Sequence, residues 1–135
     1  MGNNDTTIRR RSYEAGREIK ASAHYNYITN GITLDGSKFA KGELVKEGQC
    51  LVKDNVTGLY EKYADGNNAG TPVFPTGKSD PVILDESIQF VLDDNGNNPN
   101  LTAGQVLVHG AVYKGMLIGF TDIFKKELAG AIRFV

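Results

Sequence analysis

The sequence predicts an α+β fold, predominantly β: a small compact β-rich domain over residues 28–135, one short C-terminal helix, and an extended, flexible N-terminal arm over residues 1–27. Three observations carry this expectation. Beyond residue 25 the apolar residues come in short pieces punctuated by many of the 16 glycines, the texture of strands and turns. Helical spacing of apolar side chains occurs in one place, near the C-terminal end. The first 27 residues hold only Met1, Ile8 and Ile19 as large aliphatics, too few to build a core. A chain of 135 residues has room for one domain with a modest interior.

The arm carries Arg9, Arg10, Arg11, Arg17 and Lys20 against Asp5, Glu14 and Glu18, so it is basic while the rest of the chain is acidic. Its composition supports at most a weak helix around residues 12–23, and ordering on a partner is expected rather than packing on its own domain. "HYNYITNGITL" then alternates around Asn30-Gly31, a dipeptide favoured in tight hairpins. "KGELVKEGQCLVKDNVTGLYEKYA" supplies short strands broken at Gly42, Gly48 and "DNVTG". "DGNNAGTPVFPTGKSDP" concentrates turn residues and reads as a loop, followed by one or two strands with a polar break in "VILDESIQFVL".

"DDNGNNPN" reads as a solvated loop, and "AGQVLVHGAVYKGML" is the best strand of the chain. If residues 105–112 form a regular strand, Val106, Val108 and Val112 share the core face, while Leu107, His109 and Ala111 share the other. In "TDIFKKELAGAIRFV", Thr121 can cap a helix with Asp122 in its first turn. Ile123, Phe124 and Leu128 fall near one face, Gly130 can end the helix in a left-handed conformation, and "AIRFV" alternates as a last strand. No internal repeat at solenoid or propeller spacing is present.

The chemistry-bearing residues are few. A net charge of −1 provides no global field for nucleic acid or an anionic membrane. No apolar run approaches the roughly 20 residues a membrane helix needs. The N-terminus lacks the apolar stretch of a signal peptide, so the chain is expected to be made in a cytoplasm. "MGNNDT" fits the myristoylation pattern, a short and common one that is set aside. Cys50 alone cannot form an intrachain disulfide, and in "GQCLV" it reads as a buried structural thiol.

His24 and His109 are the only histidines, and nothing in the sequence pairs them. A general base at His109 would need a nucleophile and an orienting carboxylate, and no motif supplies them. "DDNGNNPN" is oxygen-rich but departs from the calcium-loop template: its glycine falls fourth, and no glutamate closes it. No phosphate loop, dinucleotide fingerprint or H-E-x-x-H helix is present. "RRR" is too small a footprint for nucleic acid but suits an acidic protein surface. The expectation is therefore a non-enzymatic protein with no cofactor, metal or small-molecule substrate.

Four stretches in order carry a resemblance. These are "KGELVKEGQCLVKDNVTGLYEKY", the acidic pair in "PVILDESI", "VLVHGAVYKGML", and the helix, glycine and strand of "ELAGAIRFV". Across roughly residues 31–135 they resemble the phage head decoration proteins, the lambda-type capsid-stabilising family. The resemblance implies a small β-rich domain that assembles as a trimer on the outer capsid surface of the virion. It also implies an arm that orders by strand pairing with the major capsid protein. The arm here is longer and more basic than that pattern.

On this reading Ile8, Arg9, Arg10, Arg11, Tyr13, Arg17, Tyr25, Tyr27 and Ile28 contact the shell. Arginine and tyrosine are expected as its anchors, and His109 as a packing or subunit contact. Two rivals stand beside it: a biotinyl- or lipoyl-type carrier barrel modified at Lys53, and a small phage hydrolase using Cys50 and His109.

Overall fold

The structure, a computed structural model, describes residues 18–135. Ile8, Arg9, Arg10, Arg11, Tyr13 and Arg17 lie outside the described residues. Twelve strands and one helix follow in order: β1 Asn26–Tyr27, β2 Ile32–Leu34, β3 Leu44–Val45, β4 Cys50–Asp54, β5 Tyr60–Lys62, β6 Gly66–Asn68, β7 Thr71–Val73, β8 Lys78–Leu84, β9 Ile88–Gln89, β10 Leu101–Ala103, β11 Val106–Val112, α1 Asp122–Glu127 and β12 Ile132–Phe134. The β-rich character and single short C-terminal helix match the sequence-based expectation.

The main sheet runs β1-β11-β8-β4-β5-β2-β10, with β12 parallel to the second half of β11. Its two ends are linked in sequence: β1 leads into β2 through residues 28–31, and β10 leads into β11 through residues 104–105. The hydrogen-bonded path therefore returns on itself, and the sheet curls round one core. Closure of this kind removes exposed edges that would otherwise template association. Two small ribbons, β3 with β9 and β6 with β7, lie off this ring.

The inner core draws from the strands of the ring: Ile32 and Leu34, Leu51, Tyr60, Val82 and Leu84, Ala103 and Val106, plugged by Phe39, Val45 and Phe90. A second core lies outside the ring, where Cys50, Val52, Ile83, Leu107 and Val112 meet Ile19, Tyr63, Phe124, Leu128 and Ile132. β4, β8 and β11 are thus buried on both faces. That is why "CLV", "VIL" and "VLV" read as continuous apolar runs instead of clean alternation.

The outer core is sealed by α1. Thr121 Oγ1 accepts a hydrogen bond from Phe124 N at 3.2 Å and donates to Asp65 Oδ1 at 2.8 Å, so the cap also ties the helix to the chain after β5. Phe124 is fully buried, its ring 4.9 Å from that of Tyr63 in an edge-on contact. Gly130 does not adopt the left-handed conformation expected of it. The helix ends instead through Leu128, whose carbonyl accepts from Ala131 N and Ile132 N, both at 2.9 Å.

Other local expectations are corrected. Asn30 and Gly31 do take positive φ, +67° and +70°. The flanking strands nevertheless do not pair with each other: β1 joins β11 and β2 joins β10. The turn is a corner of the ring, packed so closely that a Cβ on Gly31 would stand 2.3 Å from the Ala103 carbonyl oxygen. The stretch read as one loop over residues 65–81 contains β6, β7 and half of β8. Its Asp80-Pro81 marks a bulge, with φ +50° at Asp80, rather than the end of a loop.

Val112 does not share a face with Val106 and Val108. It lies in the outer core, and Val108 packs on the inner one. Gly110, at φ +140°, lies between them, in a conformation essentially reserved for glycine, and β11 changes face there.

Replacing Phe124 by Ala empties the centre of the outer core and is expected to cost about 3–5 kcal/mol. Chemical denaturation of the purified variant measures this. Val56, on the β4–β5 turn and 92 % exposed, is the control whose replacement by Ala should change stability by less than about 0.5 kcal/mol.

Candidate interaction surface: the N-terminal strap on β11

Residues 18–28, which composition assigns to the arm, lie antiparallel along β11. Tyr113 N donates to Ile19 O, Ala21 N to Ala111 O, and Ile28 N to Val106 O, at 2.8, 2.8 and 2.9 Å. Asn26 stands opposite His109 and Tyr27 opposite Leu107. The weak helix expected around residues 12–23 is absent from its described part, residues 18–23. The reason is Ile19. It is fully buried in the outer core, and that burial outweighs the poverty of the surrounding composition.

Lys20 pairs with Val112, and six residues later Asn26 pairs with His109, so the strap holds more residues than the β11 stretch it spans. The excess bows out over residues 22–25, where Ser22 Oγ donates to His24 O at 2.8 Å. Gly110 lies beneath this bow. A Cβ there would come within 3.0 Å of Tyr25 Cβ and 3.4 Å of His24 O. The glycine of "HGAV" is therefore required by its own φ, and a side chain there would also crowd the strap above it.

One carboxylate clamps the strap. Asp85, just past β8, has a side chain only 1 % exposed. Its Oδ2 accepts from Lys20 Nζ at 2.7 Å and from the Tyr27 hydroxyl at 2.6 Å. Its Oδ1 is buried with no hydrogen-bond partner among the described residues. Glu18 lies 3.4 Å from the same ammonium, which also sits 4.9 Å from the centre of the Tyr25 ring.

Burial opposes the charge on Lys20, but the hydrogen bond and charge of Asp85, with Glu18, outweigh it and hold the ammonium above its ordinary pKa. Burial, then Asp85, pushes the Tyr27 phenol well above its usual value, so Tyr27 remains a neutral donor. Because the folded value for Lys20 is raised, its stabilisation is complete below the ordinary lysine pKa of about 10.4. It is lost only as pH climbs through the raised value.

Of the described residues expected to meet a partner, Tyr27 is held by Asp85, and Ile28 packs against the inner core. Tyr25 offers an exposed ring, tilted on Tyr27 at 5.2 Å. His109 is exposed on β11. Tyr113 and Val135, both large exposed apolar side chains, flank the point where the chain reaches Glu18: Tyr113 bonds to Ile19, and Lys114 N donates to Val135 O at 3.0 Å. Sequence reasoning missed Asp85 and Lys20. Their signal was the acidic pair interrupting "VIL" and the cation beside the strap's last aliphatic.

The neighbouring Glu86 has a separate task. Its Oε2 accepts from Gly104 N and Gln105 N at 3.1 and 2.9 Å, fixing the turn into β11. The "DDNGNNPN" loop is stitched down in a similar way. Asn98 accepts from Gly42 N and donates to the Gly36, Phe39 and Ala40 carbonyls, while Asn100 accepts from Gly36 N.

Cys50 is fully buried, and burial pushes its thiol up to about 12. Lys53 lies within β4, one residue before its end, opposite Tyr60 and Ser79 and ion-paired with Asp80 at 2.7 Å. Among the described residues, no group of three or more His, Cys, Asp or Glu side chains is placed to hold a metal ion. Compared with protein families, characterised proteins and solved structures, the chain matches none.

Replacing Asp85 by Ala leaves Lys20 and Tyr27 without their shared acceptor and is expected to cost about 3 kcal/mol. Limited trypsin digestion under native conditions checks the location of the effect. Cleavage after Lys20 should be slow in the wild type and at least tenfold faster in the variant.

Proposed function

We propose that the protein is a capsid decoration protein, binding the outer surface of a phage head and stabilising it against internal pressure. The observation that supports this most is the strap. It delivers the basic N-terminal segment from a fixed point on the rim of the domain, beside Tyr113, Val135 and the Tyr25 ring. Arg9, Arg10, Arg11 and Arg17 then serve acidic patches on the major capsid protein, with Ile8 and Tyr13 as apolar anchors. Strand addition to the shell protein makes few demands on the sequence of that segment, so it suits the proposed contact. A trimer would present several such arms at once and gain by effective concentration.

The likeness of the chain to the lambda-type family in the order of its strands, acidic pair and closing helix points the same way. The rival readings fare less well on the geometry. A carrier barrel needs its lysine at a hairpin tip, and Lys53 is still within β4, paired with Tyr60 and Ser79 and ion-paired with Asp80. A thiol nucleophile needs a lowered pKa and access, and Cys50 has neither.

The experiment is co-sedimentation with empty heads of the phage that encodes the chain. The deletion must stop at residue 17, since Ile19 belongs to the core. A protein lacking residues 2–17 is expected to keep its melting temperature and lose head binding. Replacing Arg9, Arg10 and Arg11 together by Ala should weaken binding by about tenfold or more, at up to roughly 1 kcal/mol for each exposed pair. Full-strength binding by the folded truncation would overturn the proposal.

A further inference from the structure

We propose that the strap is exchangeable between copies: residues 18–28 of one chain can occupy β11 of a second chain, giving a strand-swapped dimer. The inference stands on the domain alone and does not require capsid binding. Three observations support it. First, the strap is an addition to a ring that closes without it. With residues 18–27 removed, β2 still pairs with β10 and β5, and β8 still pairs with β4 and β11. Second, its attachment is limited to the packing of Ile19, Tyr27 and Ile28, the Asp85 clamp and a few ladder hydrogen bonds. The bow over residues 22–25 separates two short paired stretches.

Third, the corner that folds the strap back requires two consecutive residues at positive φ, Asn30 and Gly31. Straightening them would turn β1 and β2 into one continuous strand. A short corner joining an element to an otherwise complete body is the arrangement from which swapping arises at low cost, since every strap contact is remade in the partner.

The occupant is specified by chemistry. A vacated β11 exposes a pocket for an aliphatic side chain and the Asp85 carboxylate, which is buried and needs a cation. Ile19, Lys20 and Tyr27 meet those demands at the required spacing, and any second copy carries them.

Two single variants, Lys20→Asp and Asp85→Lys, test this. Each breaks the clamp within its own chain. In a swapped heterodimer the Lys20 strap meets the intact Asp85, and the aspartate at position 20 meets the lysine at position 85. Native mass spectrometry is expected to show monomers for each variant alone and heterodimer at least tenfold above either homodimer in the mixture. A mixture of folded variants that stays monomeric overturns the proposal.

Should Asp85→Lys fail to fold, Gly31→Val decides. It leaves the clamp intact but cannot hold φ +70°, and its side chain would collide with the Ala103 carbonyl. A dimer is expected, and any other result overturns the proposal.

Discussion

A buried carboxylate cannot be left without a cation or donors, and Asp85 places that demand at the point where β8 ends. Lys20 and the Tyr27 hydroxyl answer it, and in doing so fix the register of the strap on β11. With Lys20 in place, Ile19 drops into the outer core, and the surplus residues between the two paired stretches bow outward. The bow lies closely over Gly110, whose φ of +140° already reserves the position for glycine. The backbone N–H of Asp85 donates to Gln105 O, and Glu86 beside it holds the same turn, so one acidic dipeptide positions β11 from two sides.

The features legible in the sequence were those set by local chemistry. Thr121 announced the helix through its hydroxyl, "DNVTG" announced the β4–β5 turn, and the polar break in "VILDESIQFVL", read as one or two strands, is where β8 ends before β9. The features that were not legible depend on partners distant in sequence. Residues 1–27 look too polar to pack as a whole, yet Ile19 in the outer core, with Lys20 and Tyr27 on Asp85, docks their last part on β11. Asn30-Gly31 has the dihedrals of a hairpin turn without its pairing, because the strands it joins find partners elsewhere. The face switch in β11 was hidden because alternation assumes regular backbone, which Gly110 does not supply.

The candidate site was legible in half. The cluster of tyrosines and the basic residues of the arm drew attention to the segment that, from residue 18 on, lies along β11. Tyr27 and Ile28, however, proved to serve the domain's own packing. His109, the most suggestive catalytic residue in the sequence, is an exposed position on the strand that receives the strap. The strap converts a basic N-terminal stretch into one with a defined starting point, which reduces the ordering entropy any partner must overcome.

The central claim is that residues 18–28 belong to the folded domain and are held there by β11 and Asp85. Amide hydrogen exchange of the wild-type protein, read residue by residue, tests it most directly. The amides of Ala21 and Ile28, which donate to Ala111 and Val106, should be protected to within about tenfold of the β11 amides themselves. Exchange of both at the rate of an unstructured chain, with β11 protected, would contradict the account.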